Sequence, residues 1–297
     1  MNKWSILVAV ALLMAACGQK DNEQQQPTGQ KEVRVPPMVP VAPKPQLQAP
    51  SLEFGKSGQS DGPVLRMEEG QPLDMSQLMG DRKSLQDQIV AHFDTISSRA
   101  HAGKAEYQYL LGVCHEKGWG VTQSGKEAFA WYSKAAAQDY PSAYNALGNF
   151  YREGISVKAD ISKAFEMYRK GAGGEDAQAM LNLGNCYYYG MGVPKDEPAA
   201  LKWWTKAAEA GNAFANAQMG DCHYHGIGVE KNLDQAVGYY NAAAEKNVPH
   251  AQYMLGILYY NGESVQQDQT YAKLLMQKAR DGGMKEAQEF LDRHFKP

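Results

Sequence analysis

Residues 179–208, AMLNLGNCYYYGMGVPKDEPAALKWWTKAA, hold one full copy of a pattern that recurs through the chain. The pair Leu183-Gly184 has counterparts at Leu111-Gly112, Leu147-Gly148, Met219-Gly220 and Leu255-Gly256, each 36 residues from the next. A second glycine keeps the same step at Gly118, Gly154, Gly190, Gly226 and Gly262. A valine follows three residues later in every copy: Val121, Val157, Val193, Val229 and Val265. Ala128, Ala164, Ala200, Ala236 and Ala272 keep it as well. Five copies without insertion or deletion define a structural repeat. A period of about 20–50 residues is the mark of a solenoid. One helix pair cannot bury its apolar face alone, so it stacks on its neighbours.

These residues resemble the Sel1-like repeat family, close kin of tetratricopeptide repeats, with the unit A-x-x-x-L-G-x-x-Y-x-x-G-x-G-V…A-x-x-W-Y-x-K-A-A. The 179–208 copy matches it at Leu183-Gly184, Tyr187, Gly190-Met191-Gly192-Val193, Trp203-Trp204 and Lys206-Ala207-Ala208. The resemblance implies an all-α fold, a right-handed α-solenoid of about five helix pairs over residues 105–285. It says less about function, since the family consists mostly of adaptors with different partners.

Helical caps are expected at both ends, because an open end exposes an apolar flank. Within residues 81–104, Leu85, Ile89, Phe93 and Ile96 fall at helical spacing, with Ser84 as N-cap. This predicts one amphipathic helix over 84–100, followed by the turn His101-Ala102-Gly103. Residues 286–297 begin a sixth first helix. Ala287 keeps the register, but Asp292 stands where the repeat glycine would be, which makes this a C-terminal cap.

The segment before the caps reads as targeting and tether. Residues 1–17 have the basic Lys3, a short apolar run from Ile6 to Met14, and the small pair Ala15-Ala16 before Cys17. The run is too short to span a membrane stably. Met14-Ala15-Ala16-Cys17 resembles a bacterial lipobox, which implies a lipidated Cys17 as the mature N-terminus. Buried acyl methylenes contribute about 0.8 kcal/mol each to membrane binding. Gly18, rather than aspartate, resembles an outer-membrane address. Residues 18–80 carry nine of the fourteen prolines and none of the seventeen tyrosines. Such composition cannot offset its ordering entropy. The expectation is a disordered or polyproline-II-like tether, with a coil span on the order of 45 Å.

The charge pattern bounds the partners. Residues 105–297 carry 19 basic and 22 acidic residues without a basic stripe, which argues against nucleic acid. Cys114, Cys186 and Cys222 share one repeat position, two after the glycine, where other copies have Phe150 and Leu258. Helices in adjacent units pack roughly 8–10 Å apart, and bridged cysteines need Cα atoms within about 7 Å. Free, buried thiols follow. Family members with a disulfide in each unit place two cysteines per repeat, which this chain does not.

Most enzyme signatures are missing: there is no H-E-x-x-H, G-x-x-x-x-G-K-[ST] or S-x-x-K. No cofactor or metal is expected. In Cys222-His223-Tyr224-His225, His223 replaces the repeat tyrosine, and His225 points about 200° away from it on a helix. Numbered from the repeat glycine, positions −5, −1, +2 and +3 of each first helix form the core side, at about 100° per residue. Positions −3, +1 and +4 fall opposite. They hold Asn145, Asn149 and Arg152; Asn185 and Tyr188; Asp221 and Tyr224; Tyr253 and Tyr260. In tetratricopeptide repeats, which these units resemble, this face lines the concave groove. Asparagine offers donor and acceptor to a peptide backbone, and tyrosine offers rigid amphipathic area. The paired aromatics Trp131-Tyr132, Trp203-Trp204 and Tyr239-Tyr240 are expected in the inter-repeat core.

The sequence therefore predicts a lipid-anchored adaptor of the cell envelope, facing the periplasm and holding a protein or peptide in its groove. The alternatives are an envelope enzyme acting on peptidoglycan or β-lactams, and a structural spacer without a groove ligand.

Overall fold

The computed structural model describes residues 65–66, 72–73 and 82–295. All of them lie in one of the chain's two units, Val35–Pro297. The expected signal segment, Cys17 and most of the tether lie outside the described residues. Within the tether region, Leu65–Arg66 pairs antiparallel with Pro72–Leu73, Leu65 opposite Leu73.

The rest is helical. A cap of α1 (Arg82–Ala91) and α2 (Phe93–His101) precedes five helix pairs. These are α3 (Ala105–Lys117) with α4 (Gly125–Ala136), α5 (Pro141–Glu153) with α6 (Ile161–Gly173), and α7 (Ala177–Tyr189) with α8 (Glu197–Glu209). Then come α9 (Ala213–His225) with α10 (Leu233–Glu245) and α11 (Pro249–Asn261) with α12 (Gln269–Asp281). The helix α13 (Lys285–His294) closes the stack. Each helix packs on the next, and first helices also touch across units, α5 on α7 and α9 on α11.

The helix ends follow from residue chemistry. Gly118, Gly154, Gly190, Gly226 and Gly262 all take left-handed backbone and end the first helices. Glycine occupies that conformation without the steric cost of a Cβ. Twelve residues after the repeat glycine stands Ser124, Asp160, Asp196, Asn232 or Asp268. Each side chain accepts from the backbone N–H three residues on, at 2.9–3.3 Å. These are N-caps satisfying orphan donors of the second helix.

The repeat glycine is fixed by a ring. A Cβ on Gly112, Gly148, Gly184 or Gly220 would lie within 2.6 Å of Tyr132, Tyr168, Trp204 or Tyr240 respectively. These second-helix rings lie flat on the first helix of their own unit and are fully buried. They pack within their own units, and Tyr132 and Tyr240 also meet Phe150 and His250 of the next unit, as expected of inter-repeat aromatics. Trp203 and Tyr239 are only partly buried. Cys114, Cys186 and Cys222 are free and buried, and burial pushes each thiol up to about 12.

The N-terminal cap differs from its prediction. The expected single helix is broken at His92, which has φ −109° and ψ 15°. The break redirects Phe93, whose ring lies where a Cβ on Gly120 would approach within 2.9 Å. Ser84 lies inside α1, so it is not an N-cap. Ile89, Ile96 and Ala100 join the core of the first two units.

Candidate functional site

The face at positions −3, +1 and +4 is less open than its spacing suggests. Asn149 Oδ1 accepts from the Tyr168 hydroxyl at 2.8 Å, Asn185 Oδ1 from Trp204 Nε1 at 3.1 Å, and Asp221 Oδ1 from the Tyr240 hydroxyl at 2.7 Å. The ring that requires the repeat glycine also carries a polar atom, and the next residue accepts from it. Where the partner is Met276, position +1 is Ile257. In the first unit position +1 is Val113, and Tyr132 donates instead to Glu116 Oε2 at 2.7 Å. The asparagine row is therefore first a set of latches within units.

Other expected groove residues are committed to the stack. Asn145, 3% exposed, accepts at Oδ1 from Asn182 Nδ2 at 2.8 Å across a unit boundary. Asp221, also 3% exposed, receives His250 Nε2 from the next unit at 2.9 and 3.0 Å on its two oxygens. Tyr253 is buried, with its ring edge-on to Phe290 of the cap at 6.4 Å. Tyr224 is buried as well, and burial corrects the expectation that these four face solvent. Arg152 is bonded to its neighbour Glu153 at 2.7 Å.

What the structure does bring together is a row at the C-terminal ends of the first helices. In the first two units it holds adjacent ion pairs, Lys117–Glu116 at 2.6 Å and Arg152–Glu153 at 2.7 Å. In the next three it holds edge-to-face aromatic pairs. Tyr188 and Tyr189 lie 4.9 Å apart at 88°, and Tyr224 and His225 lie 4.8 Å apart at 75°. Tyr260 meets His294 of the cap at 5.1 Å and 60°. Edge-to-face geometry suits the ring quadrupoles; Tyr224 is buried, and Tyr260 also packs on Phe290 and Phe295 of the cap. Lys195 stands over Tyr188 at 5.3 Å and Lys231 over Tyr224 at 5.7 Å. Burial lowers the pKa of His225 and of His294 from the usual 6.5, so both pairs keep neutral rings at pH 7.

Tyr189 is 36% exposed, as a solvated member of this row. Phe214 at position −6 is 38% exposed. Positions −6 and +5 fall on the same helical stripe as +1, at about 100° per residue. The three positions weighed on this face leave out Tyr189, Phe214 and His250, and His225 was weighed only beside His223. Extending the helical projection by one turn each way would have found them. His223 is separate: it is buried and stacked on Tyr239 at 5.4 Å and 10°. Among the described residues no group of three or more His, Cys, Asp or Glu converges as a metal site. No described helix is long and apolar enough to cross a membrane.

A solenoid of helix pairs with latched units and an aromatic inner row is a repeat scaffold built to present a surface. The Sel1 repeat model matches residues 105–140, 141–174, 177–212, 213–248 and 249–284, and the chain belongs to the Sel1 repeat family. A Sel1 repeat protein from Oxalobacter formigenes is 35% identical, with a TM-score of 0.60, over 64% of this chain and 78% of that one. The protective antigen c5321 of uropathogenic Escherichia coli, described as having an SLR fold, is 30% identical with a TM-score of 0.58. That match covers 73% of this chain but only 49% of c5321. No curated protein matches the chain. Sel1 repeat proteins are in general scaffolds for protein–protein interaction and typically not enzymes.

Proposed function

We propose that this protein is a lipid-anchored adaptor of the bacterial cell envelope, on the outer membrane and facing the periplasm. It holds an extended protein segment along the row Tyr188-Tyr189, His225 and Tyr260, none of which is buried. The observation that carries this reading is the row itself. The third and fourth units each place an aromatic pair at positions +4 and +5, and the fifth places Tyr260 at +4 against His294 of the cap, where the first two units place self-paired charges.

The latches shape what such a segment meets. The Trp204 indole can only donate, so Asn185 turns its oxygen to the ring and its Nδ2 donors away from it. Asn149 meets Tyr168 in the same way. The groove thus offers amide donors to ligand carbonyls beside ring faces for ligand side chains. The lipobox at Met14–Cys17 and the proline-rich stretch behind it support the anchoring half of the proposal.

Affinity capture from crosslinked envelopes tests both halves. Tyr188→Ala with Tyr189→Ala should weaken capture at least about tenfold, the equivalent of 1.4 kcal/mol. The outer-surface pair Lys202→Ala with Glu209→Ala should not. Equal losses from both pairs would move the partner off this face. Cys17→Ser should release the protein from the membrane fraction, and unchanged membrane association would end the lipoprotein reading.

A further inference from the structure

We infer that the segment held on the inner face is anchored at the boundary between the third and fourth units, where the ring of Phe214 receives an uncharged, large apolar side chain of the partner. This rests on the reading of the inner face as a protein-binding surface, and it names the chemistry that surface selects.

Phe214 stands six residues before its repeat glycine. Its counterparts are Glu106, Ser142, Gln178 and His250, with Glu286 in the cap, so it is the one apolar member of a polar row. Three of those counterparts bond to a neighbouring unit. Ser142 Oγ donates to Asp176 and Gln178 Oε1 accepts from Asn212 Nδ2, at 2.7 and 3.1 Å; both partners are N-caps of the next first helix. His250 reaches back to Asp221. A phenyl ring can make none of these bonds. The residue 34 positions after Phe214, where Ser142 and Gln178 find their partners, is the buried Val248. The stack therefore gains no polar tie from Phe214, and the residue is left 38% exposed. Rigid aromatic side chains are the usual anchors of a protein interface.

The ring's surroundings follow from the repeat. His250 and Asp221, 29 residues apart, meet across the fourth–fifth boundary. Phe214 and Asn185 hold the same two positions one unit earlier, also 29 residues apart, which sets Phe214 opposite Asn185. Asn185 gives its Oδ1 to Trp204, so its Nδ2 hydrogens remain for a ligand carbonyl. First helices pack on each other across the second–third and fourth–fifth boundaries, where Asn145–Asn182 and Asp221–His250 also bond. The helices α7 and α9 are not such a pair. The bond between them, Asn212 to Gln178, lies at their N-terminal ends.

Charge decides what fits. Asn185, Tyr188, Tyr189, Gln218 and His225 are the exposed or half-buried inner side chains nearest this boundary. None is charged at pH 7, since burial lowers the pKa of His225. Lys195 is paired with Glu197 at 2.7 Å, Lys231 stands over the Tyr224 ring, and Asp221 is matched by His250. A charged side chain brought onto Phe214 would lose water without gaining an opposite charge, whereas an apolar one would cover the ring.

The test selects binders to the full-length protein from a displayed library of random peptides and measures the synthetic peptides by fluorescence anisotropy. The selected sequences should share a Leu, Ile, Met, Phe or Trp with no charged neighbour. Their Kd should change less than about twofold between about 50 and 500 mM NaCl, since salt screens charges and not apolar contacts. Phe214→Ser should weaken binding at least about tenfold and Phe214→Leu less than about threefold, with unchanged unfolding midpoints. Leu274→Ser is the control. That side chain is 44% exposed, on α12, at the position Lys202 holds in the third unit, and its loss should leave Kd unchanged. An equal loss from Leu274→Ser would mean general stickiness and would overturn the proposal. So would an acidic consensus whose affinity falls steeply with salt, which points to Lys231, or the absence of any selected peptide. The variant Tyr188→Ala with Tyr189→Ala separates this idea from the reading beneath it. Binding lost there but kept in Phe214→Ser leaves the aromatic row standing and removes the anchor. Binding lost in Phe214→Ser but kept in the tyrosine pair keeps the anchor and takes the segment off the row.

Discussion

The indole Nε1 of Trp204 donates to Asn185 Oδ1 at 3.1 Å, across the same contact that brings the ring over Gly184. One second-helix side chain therefore fixes two adjacent first-helix positions, the glycine by its shape and the asparagine by its polarity. Removing the acceptor strands a donor that is largely out of water, which costs about 1–3 kcal/mol. Asn185→Ala should lower the midpoint of thermal unfolding, and Trp204→Phe should make a second loss at the same position small. Additive losses in the double variant would show that the bond does not couple the two residues.

The repeat glycines should differ in tolerance. A Cβ on Gly184 would meet Trp204 at 2.5 Å and the Ala200 carbonyl oxygen at 3.2 Å, neither of which can give. At Gly256 the nearest atom is Met276 Cε at 2.9 Å, the free end of a flexible side chain. Gly184→Ala should cost roughly 1–3 kcal/mol by overpacking. Gly256→Ala should cost clearly less. Equal unfolding midpoints for the two variants would refute the ring-on-glycine account.

A third expectation concerns the turns between units. The residue 27 positions after the repeat glycine has positive φ throughout: Asp139, Glu175, Gly211, Asn247 and Gly283. Gly103 holds the equivalent place after α2. Glu175, at φ 66°, is the least suited, since Asn and Asp tolerate the left-handed region better than other side chains. Its side chain is exposed, so replacement loses no packing. Glu175→Asn should stabilise the protein by about 0.5–1 kcal/mol, given the cost of about 1–2 kcal/mol for left-handed backbone. A lower unfolding midpoint would count against this strain.

Most of the stack was legible because its signals are local and repeated. Glycine at the helix ends, Ser, Asp or Asn at the second-helix caps and the period itself all report on backbone conformation. The inner face was only half legible. A helical projection tells on which side Asn185 lies, but not that the Trp204 ring crosses to meet it. That ring is 19 residues away, in another helix. The signal was nevertheless present. Asn149, Asn185 and Asp221 occur in units whose crossing ring carries a donor, and Ile257 occurs where the residue is Met276. The buried Asn145–Asn182 bond joins different repeat positions, −3 in one unit and −2 in the next, so comparing like positions would not reveal it. The break at His92 was illegible for another reason: no glycine or proline marks it, and the Phe93 ring beyond it lies against Gly120, a contact distant in sequence.

The junction between the fourth and fifth units should make stability depend on pH. His250 Nε2 meets both oxygens of the buried Asp221, which also accepts from the Tyr240 hydroxyl. Burial opposes charging of the imidazole, but the Asp221 hydrogen bond and charge, aided by the more distant Glu286, outweigh it. The pKa of His250 is accordingly raised above the usual 6.5. Tyr224, His225 and Lys231 stand around the same carboxylate on the groove side. A raised pKa means that the folded chain holds the proton more tightly than the unfolded chain does. The stabilisation is therefore complete below about pH 6.5, the unfolded value, and fades as pH rises through the folded value. As pH rises above about 6.5, the unfolding midpoint of the native protein should decline relative to that of His250→Gln. The glutamine amide still donates to Asp221 but does not titrate. Parallel profiles for the two proteins would show that His250 is not the group that couples protonation to this junction.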